Sequence, residues 1–309
     1  MIVINDVFQI AAYNVHISSN NNFPTAAGLA SSASGFAALV SSLAALYKLP
    51  SSPSELSLIA RQGSGSACRS LFGGFVAWHM GSSATGEDSL AIEVAPRSHW
   101  PEMQALVCVV SDKKKGTSST SGMQRTVETS TLLQHRIQEV VPKRMEQMIK
   151  AIKAKDFATF AEVTMRDSNS FHAVALDTDP PIFYMNDVSR AIVAVVVEYN
   201  RASVANGGPV KAAYTFDAGP NAVIYALEKD MQEIIRLICY FFPQGVAFED
   251  PMRVFPNGVQ SGVPEGFDVN VAKVAEAGSV SRLIHTRVGD GPRVLDEKET
   301  LLANDGTPK

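Results

Sequence analysis

Cysteine is scarce: Cys68, Cys108 and Cys239 are the only three in 309 residues, too few and too scattered for a disulfide framework or a cysteine-rich zinc site. A reducing compartment, the cytoplasm, is the expected location. Long apolar runs are missing as well. No stretch approaches the roughly 18 apolar residues of a membrane span, and the N-terminus has no basic region followed by an apolar core and a cleavage site. An excess of positive charge is also absent. With 27 Lys and Arg against 31 Asp and Glu, the net charge is −4, which removes any global reason to expect nucleic acid or an anionic membrane as partner. An anionic ligand must therefore be held by local groups. The six histidines, among them His16, His79, His99 and His172, show no metal-ligand spacing and no nucleophile pattern, so no metal ligand is assigned. What remains is a chain that is 46% hydrophobic, with material for one large core or two ordinary ones.

The most informative stretch is Pro24-Thr25-Ala26-Ala27-Gly28-Leu29-Ala30-Ser31-Ser32-Ala33, a glycine-bearing, hydroxyl-rich turn that runs into an apolar-periodic helix. Gly28 lets the backbone pass close to a phosphate, and Ser31 and Ser32 add hydroxyls where free N–H groups and the positive dipole end favour an anion. Neither common nucleotide fingerprint fits the spacing. The plainer alternative is a helix start with serine caps.

Val15 to Ser19 reads as a strand entering that turn, and Leu29, Ala33, Phe36, Ala37, Val40, Leu43, Ala44 and Tyr47 follow at helical spacing. Ser54 and Glu55 open a shorter helix to about Gln62, then a second small-residue turn, Gly63 to Ser70, leads to a strand at Phe75 to His79. Leu90 to Val94 and Ala105 to Val110 read as strands, and an apolar run at Met1 to Ile4 as another. Near residue 100 the texture shifts to longer, more charged helices, so domains are drawn at 1–100 and 101–309. Ser111 to Gly122 reads as a polar loop. Helical periodicity covers 123–154, 156–168 and Ile182 to Arg201, followed by strands at Val210 to Phe216 and Ala222 to Leu227, a helix near Asp230 to Tyr240 and a strand at Ser281 to Val288. The fold class is α+β.

Four further features carry candidate chemistry. Arg69, beside Ser64 and Ser66, offers a rigid fork and hydroxyls suited to a carboxylate or phosphate, against the alternative of a solvated surface charge. Asp217 is delivered at a strand end before Ala-Gly-Pro-Asn, either as a turn starter or as a base or electrostatic anchor. Lys113 to Lys115 beside Ser118, Ser119 and Thr120 is either a solvated run or a lid over phosphates. Asp167-Ser168-Asn169-Ser170-Phe171-His172 reads as a segment that caps or joins helices, with lining of the site as the alternative.

Taken in order, NNFPTAAGLASSASG at Asn21 to Gly35, RQGSGSACRSLFGGFVAW at Arg61 to Trp78, SSTSGM at Ser118 to Met123, DSNSFHA at Asp167 to Ala173, PPIFYMND at Pro180 to Asp187 and AYTFDAGPNAV at Ala213 to Val223 resemble the mevalonate diphosphate decarboxylase family, especially its fungal members. That family belongs to the GHMP kinase superfamily. The resemblance covers nearly the whole chain from Val15 onward. It implies a two-domain fold, with a ribosomal S5 domain 2-like N-terminal part and a ferredoxin-like α+β C-terminal domain. It also implies ATP and Mg2+ as cofactors, a homodimer, and decarboxylation of mevalonate 5-diphosphate to isopentenyl diphosphate, a step of isoprenoid and sterol biosynthesis.

Carried over by motif, Ser32 corresponds to the phosphate-loop serine, with Gly28 and Ser31 beside it. Ser64, Ser66 and Arg69 correspond to groups around the substrate, Ser119 and Thr120 to a loop contacting phosphates, and Asp217 to the catalytic aspartate. Ser64 and Ser66 also count toward the nucleotide site. Family members carry a Lys-Tyr-Trp-Gly segment ahead of the aligned region, and Met1 to Ala12 does not resemble it. The expectation is a truncated N-terminal part with an unpaired strand edge and an uncovered face on the long helix. Two alternatives stay open: a plain small-molecule kinase of the superfamily, and a non-catalytic member that binds diphosphates or dimerises.

Overall fold

The structure, a computed structural model, describes residues 14–25, 28–110, 119–245, 248, 250 and 252–309. Two compact units emerge. The described residues of Met1–Phe23, Ala30–Glu93 and Gly289–Lys309 form the first, and those of Pro24–Leu29 and Val94–Val288 the second.

In the first unit, helix α1 (Ser31–Leu46) buries Ala33, Ala37 and Ala44. These small residues let it approach its neighbours closely. Helix α2 (Pro53–Gly63) starts on a reciprocal cap in which the Glu55 N–H donates to Ser52 Oγ and the Ser52 N–H donates to the Glu55 carboxylate at 2.7 Å. The capping serine is thus Ser52, two residues before the expected Ser54. A 3-10 helix (Gly65–Leu71) follows, and Ala37, Ala60, Ala67 and Leu71 form one buried cluster with Val40, Leu56 and Phe72 against it. Gly63 sits under the Phe36 ring, where a Cβ would stand 2.3 Å from it. Strands β1 (Phe75–Trp78) and β2 (Ala91–Ala95) pair in a two-stranded sheet.

Val15–Ser19 is not a strand. Val15 and Ile17 are 40% and 60% exposed, and no strand pairs with this segment among the described residues. An apolar alternation becomes a strand only when its N–H and C=O groups find a ladder.

The second unit is an antiparallel sheet of β3 (Met103–Val109), β4 (Ala212–Phe216), β5 (Ala222–Leu227) and β6 (Arg282–Arg287) in the order β4-β5-β3-β6. Helices connect β3 to β4 and β5 to β6, which is the βαββαβ ferredoxin-like arrangement expected. Its core is the inner face of α7 (Asp187–Ala205) and α8 (Glu228–Phe241) on that sheet. Ile192, Val195, Val196, Ile234, Ile235 and Ile238 are fully buried there, each contributing about 1.5–3 kcal/mol by leaving water.

The run expected to be helical over 123–154 divides into α3 (Ser119–Thr129), α4 (Thr131–His135), a π-helical turn (Arg136–Val140) and α5 (Val141–Ala154). Pro142, in the first turn of α5, lacks the N–H that an uninterrupted α-helix needs, which accounts for the change of winding before it. Ser119 to Gly122 begins α3 instead of lying in the polar loop. Helix α6 (Phe157–Leu176) runs straight through Asp167–His172, so this stretch is helix interior and not a joint. Its polar residues are held there by tertiary partners. Helix α7 begins at Asp187, capped by Asn186 and Ser189, five residues after the expected Ile182.

Candidate active site

In the second unit, Asp217 follows β4 directly and is exposed. The turn behind it is fastened on both sides. The Gly219 N–H donates back to the Asp217 carbonyl at 2.7 Å, Ser189 Oγ donates to the Pro220 carbonyl at 2.8 Å, and the Val110 N–H donates to Asn221 Oδ1 at 2.6 Å. The turn is therefore pinned to the start of α7 and to the end of β3.

Gly28 lies on this turn. Its φ is +76°, a conformation that costs other residues, and a Cβ there would stand 2.7 Å from Gly219 Cα and 3.0 Å from the Ala218 carbonyl carbon. The glycine expected to cradle a phosphate thus packs on the backbone that follows the candidate acid. The Asp217 carboxylate also has titratable neighbours. Burial lowers the His172 imidazole below its ordinary value, opposed by the Phe216 main chain and Asp217. Burial and Asp217 together raise the Tyr184 hydroxyl, opposed by Arg125.

In the first unit, α1 begins after Ala30, whose φ is +49°, with no side-chain cap and no acidic residue in its first turn. Ser31 and Ser32 therefore do not act as N-caps. Ser32 Oγ and Ser64 Oγ are hydrogen-bonded at 3.1 Å, so the structure joins the two small-residue loops at their expected functional serines. Ser64 closes α2, its N–H donating to the Ala60 carbonyl at 3.1 Å, and half-buried Ser66 follows in the 3-10 helix.

The Arg69 guanidinium lies 5.8 Å from the centre of the Trp78 ring. Gly65 touches the same indole, since a Cβ on it would come within 2.9 Å of the ring. Trp78 Nε1 donates to Ser89 Oγ at 3.0 Å, which fixes the platform. Sequence reasoning left Trp78 without a role, although its place after Gly73-Gly74 in a strand following Arg69 was a signal. Cys68 is buried, which raises its thiol, so it is a packing group and not a nucleophile.

Ser119 and Thr120 stand in the first turn of α3, in the second unit. Ala26, Ala27, Lys113 to Lys115, Ser118 and the Met1 to Ile4 run lie outside the described residues. Among the described residues no group of three or more His, Cys, Asp or Glu is arranged to hold a metal ion, and no helix is long and apolar enough to cross a membrane.

Comparison with known proteins gives the following. A family model described as mevalonate 5-diphosphate decarboxylase C-terminal domain matches residues 105–295, and one described as diphosphomevalonate decarboxylase-like N-terminal domain matches residues 2–91. The diphosphomevalonate decarboxylase of Ganoderma lucidum is 67% identical over 302 residues, 97% of this chain and 76% of that protein. A crystal structure of mevalonate 5-diphosphate decarboxylase matches with a TM-score of 0.77 and 50% identity, over 93% of this chain and 72% of the other. A structure described as MDDEF in complex with MVAPP, AMPPCP and magnesium matches with a TM-score of 0.63 and 39% identity, over 72% of this chain and 65% of the other.

Proposed function

The chain belongs to the mevalonate 5-diphosphate decarboxylase family, and we infer from this that it catalyses ATP-dependent decarboxylation of mevalonate 5-diphosphate to isopentenyl diphosphate, ADP, phosphate and carbon dioxide in isoprenoid and sterol biosynthesis. The functional division proposed is a domain of residues 1–100 bearing the phosphate loop and a C-terminal domain of residues 101–309, although by compactness Pro24–Leu29 group with the second unit and Gly289–Lys309 with the first. Gly28 with Ser31 and Ser32 takes nucleotide phosphates at the uncapped start of α1, assisted by Ser64 and Ser66, while Ser119 and Thr120 contact phosphates from α3. The donor set fits ATP: N–H groups and hydroxyls, with no acidic residue in the first turn of α1. Magnesium would come with the nucleotide whose phosphates Ser31, Ser32, Ser64 and Ser66 hold, and would supply charge neutralisation during transfer.

Arg69, backed by the Trp78 ring, takes the substrate carboxylate with its two-pronged fork. Carbon dioxide is neutral, so this ion pair weakens as the C–C bond breaks and its use is positioning. Asp217 orients the 3-hydroxyl and accepts its proton as the oxygen takes the phosphoryl group. A loose transition state asks little basicity of it early on, and once exposed Asp217 has passed that proton to solvent, its restored charge favours positive charge building at C3 as phosphate departs. The protein works in the cytoplasm as a homodimer. Its free cysteines suit a reducing compartment.

The observation that supports this reading is the packing of Gly28, the glycine assigned here to phosphate, on the turn after Asp217. The experiment is ATP-dependent release of carbon dioxide and isopentenyl diphosphate by this chain, alongside Asp217→Asn. The parent should turn over, and the variant should lose turnover while nucleotide affinity stays nearly unchanged. Phosphorylated product without carbon dioxide would make it a kinase, and full turnover by the variant would remove Asp217 from its role.

A further inference from the structure

The DSNSFHA stretch of α6 has no part in the reading above, yet two of its side chains, Ser168 and His172, meet on one residue, Phe216. Strand β4 is an edge strand, so its outer N–H and C=O groups lack a ladder partner. Helix α6 supplies partners. Buried Ser168 Oγ accepts the Phe216 N–H at 3.0 Å, and the Tyr214 hydroxyl donates to Asn169 Oδ1 at 3.1 Å. One turn after Ser168, the His172 ring meets Phe216 edge-on at 6.2 Å and Tyr184 at 6.2 Å, while Phe171 stacks on Tyr184 at 6.3 Å. Phe216, the residue before Asp217, is thus held by its main chain and by its ring.

His172 Nε2 is buried without a hydrogen-bond partner. That cost is borne while the same ring hydrogen-bonds the Phe216 main chain, an anchor that a phenyl ring could not supply. We propose that Ser168 and His172 are positioning residues for Asp217: α6 fixes the last residue of β4 and, through it, the direction of the carboxylate that follows. The inference rests on the assignment of Asp217 as the proton acceptor. A small error in the direction of a reacting carboxylate is costly in rate even when every binding contact survives.

Three variants of the full chain test it: Ser168→Ala, Ser168→Thr and His172→Phe. His172→Phe relieves the unpaired Nε2 but loses the ring's bond to the Phe216 main chain, so it should stay folded with a melting temperature near the parent's, yet lose about ten-fold or more in kcat with KM for ATP within about two-fold. Ser168→Ala should show the same split, and its Phe216 amide should lose hydrogen-exchange protection while Ala222–Leu227 keeps theirs. Ser168→Thr, which retains the hydroxyl, should recover both. Parent-like kcat in Ser168→Ala and His172→Phe, or losses that merely follow the folded fraction, would overturn the proposal. Asp217→Asn separates the two failures. If it is inactive while Ser168→Ala and His172→Phe are not, only this inference falls; if it is fully active, the assignment of Asp217 falls first.

Discussion

Gly28 stands so close to Gly219 that a methyl group on it would sit 2.7 Å from the Gly219 Cα, well inside contact distance. The obstacle is backbone, which cannot rotate away as a side chain would. Gly28→Ala also forces alanine to φ +76°, a left-handed conformation costing about 1–2 kcal/mol before any clash is counted. The variant should therefore lose about 2 kcal/mol or more of stability and lose turnover beyond its loss of folded protein. Gly35 is the matched control. It lies within α1 with nothing within 4 Å of an added Cβ, so Gly35→Ala should be neutral or stabilising by about 0.5–1 kcal/mol. Thermal melting of both checks the pair, and equal melting temperatures would refute the contrast.

Arg69→Lys tests the carboxylate fork. Lysine keeps the charge, but it loses the two parallel donors and the planar face that Arg69 turns toward Trp78. Losing one charge-assisted hydrogen bond of about 1.5–3 kcal/mol should raise KM for mevalonate 5-diphosphate about ten-fold or more. KM for ATP should stay within about two-fold, since the nucleotide is assigned to other groups. Steady-state kinetics against each substrate measures this. Equal losses for both would argue against a carboxylate clamp.

Much of the second unit was readable because its signals are local. The apolar alternation of Ala222 to Leu227 coincides with β5 to the residue, and the acidic start and apolar stripe of α8 place it within two residues. Asp217 was identified for the same reason: an apolar strand running into Ala-Gly-Pro-Asn is a strand end whatever surrounds it. Asp167–His172 was misread because serine and asparagine inside a helix look like caps, and only the unpaired edge of β4, 45 and 48 residues away along the chain from Asn169 and Ser168, explains those two. Val15–Ser19 failed in the opposite sense. Its alternation is right for a strand, but pairing is a property of two segments. Trp78 gained meaning only once Gly65 and Arg69 were seen against the same ring.

The Asp167 carboxylate links two arginines through space and gives the second unit a dependence on acid. Arg136 grips it with both prongs at 2.7 and 2.8 Å, and Arg144 adds a contact at 3.1 Å. Burial pushes the carboxyl upward, but the two guanidinium groups outweigh it and hold Asp167 below its ordinary value. The unfolded chain, where an aspartate titrates near about 3.9, therefore binds a proton more readily than the folded one. The stabilisation is complete above that unfolded value and is lost as pH falls through the lower folded value. Asp167→Asn removes the charge and leaves Arg136, whose side chain is only 14% exposed, without its ion-pair partner. The variant should be less stable than the parent at pH 7, by an amount that added salt reduces, because the Asp167 side chain is 39% exposed and partly screened. Urea denaturation of both proteins from neutral pH down to about 3 follows the gap. It should close steadily below about pH 4; a gap of constant size across the series would mean that the pair does not hold Asp167 in its charged form.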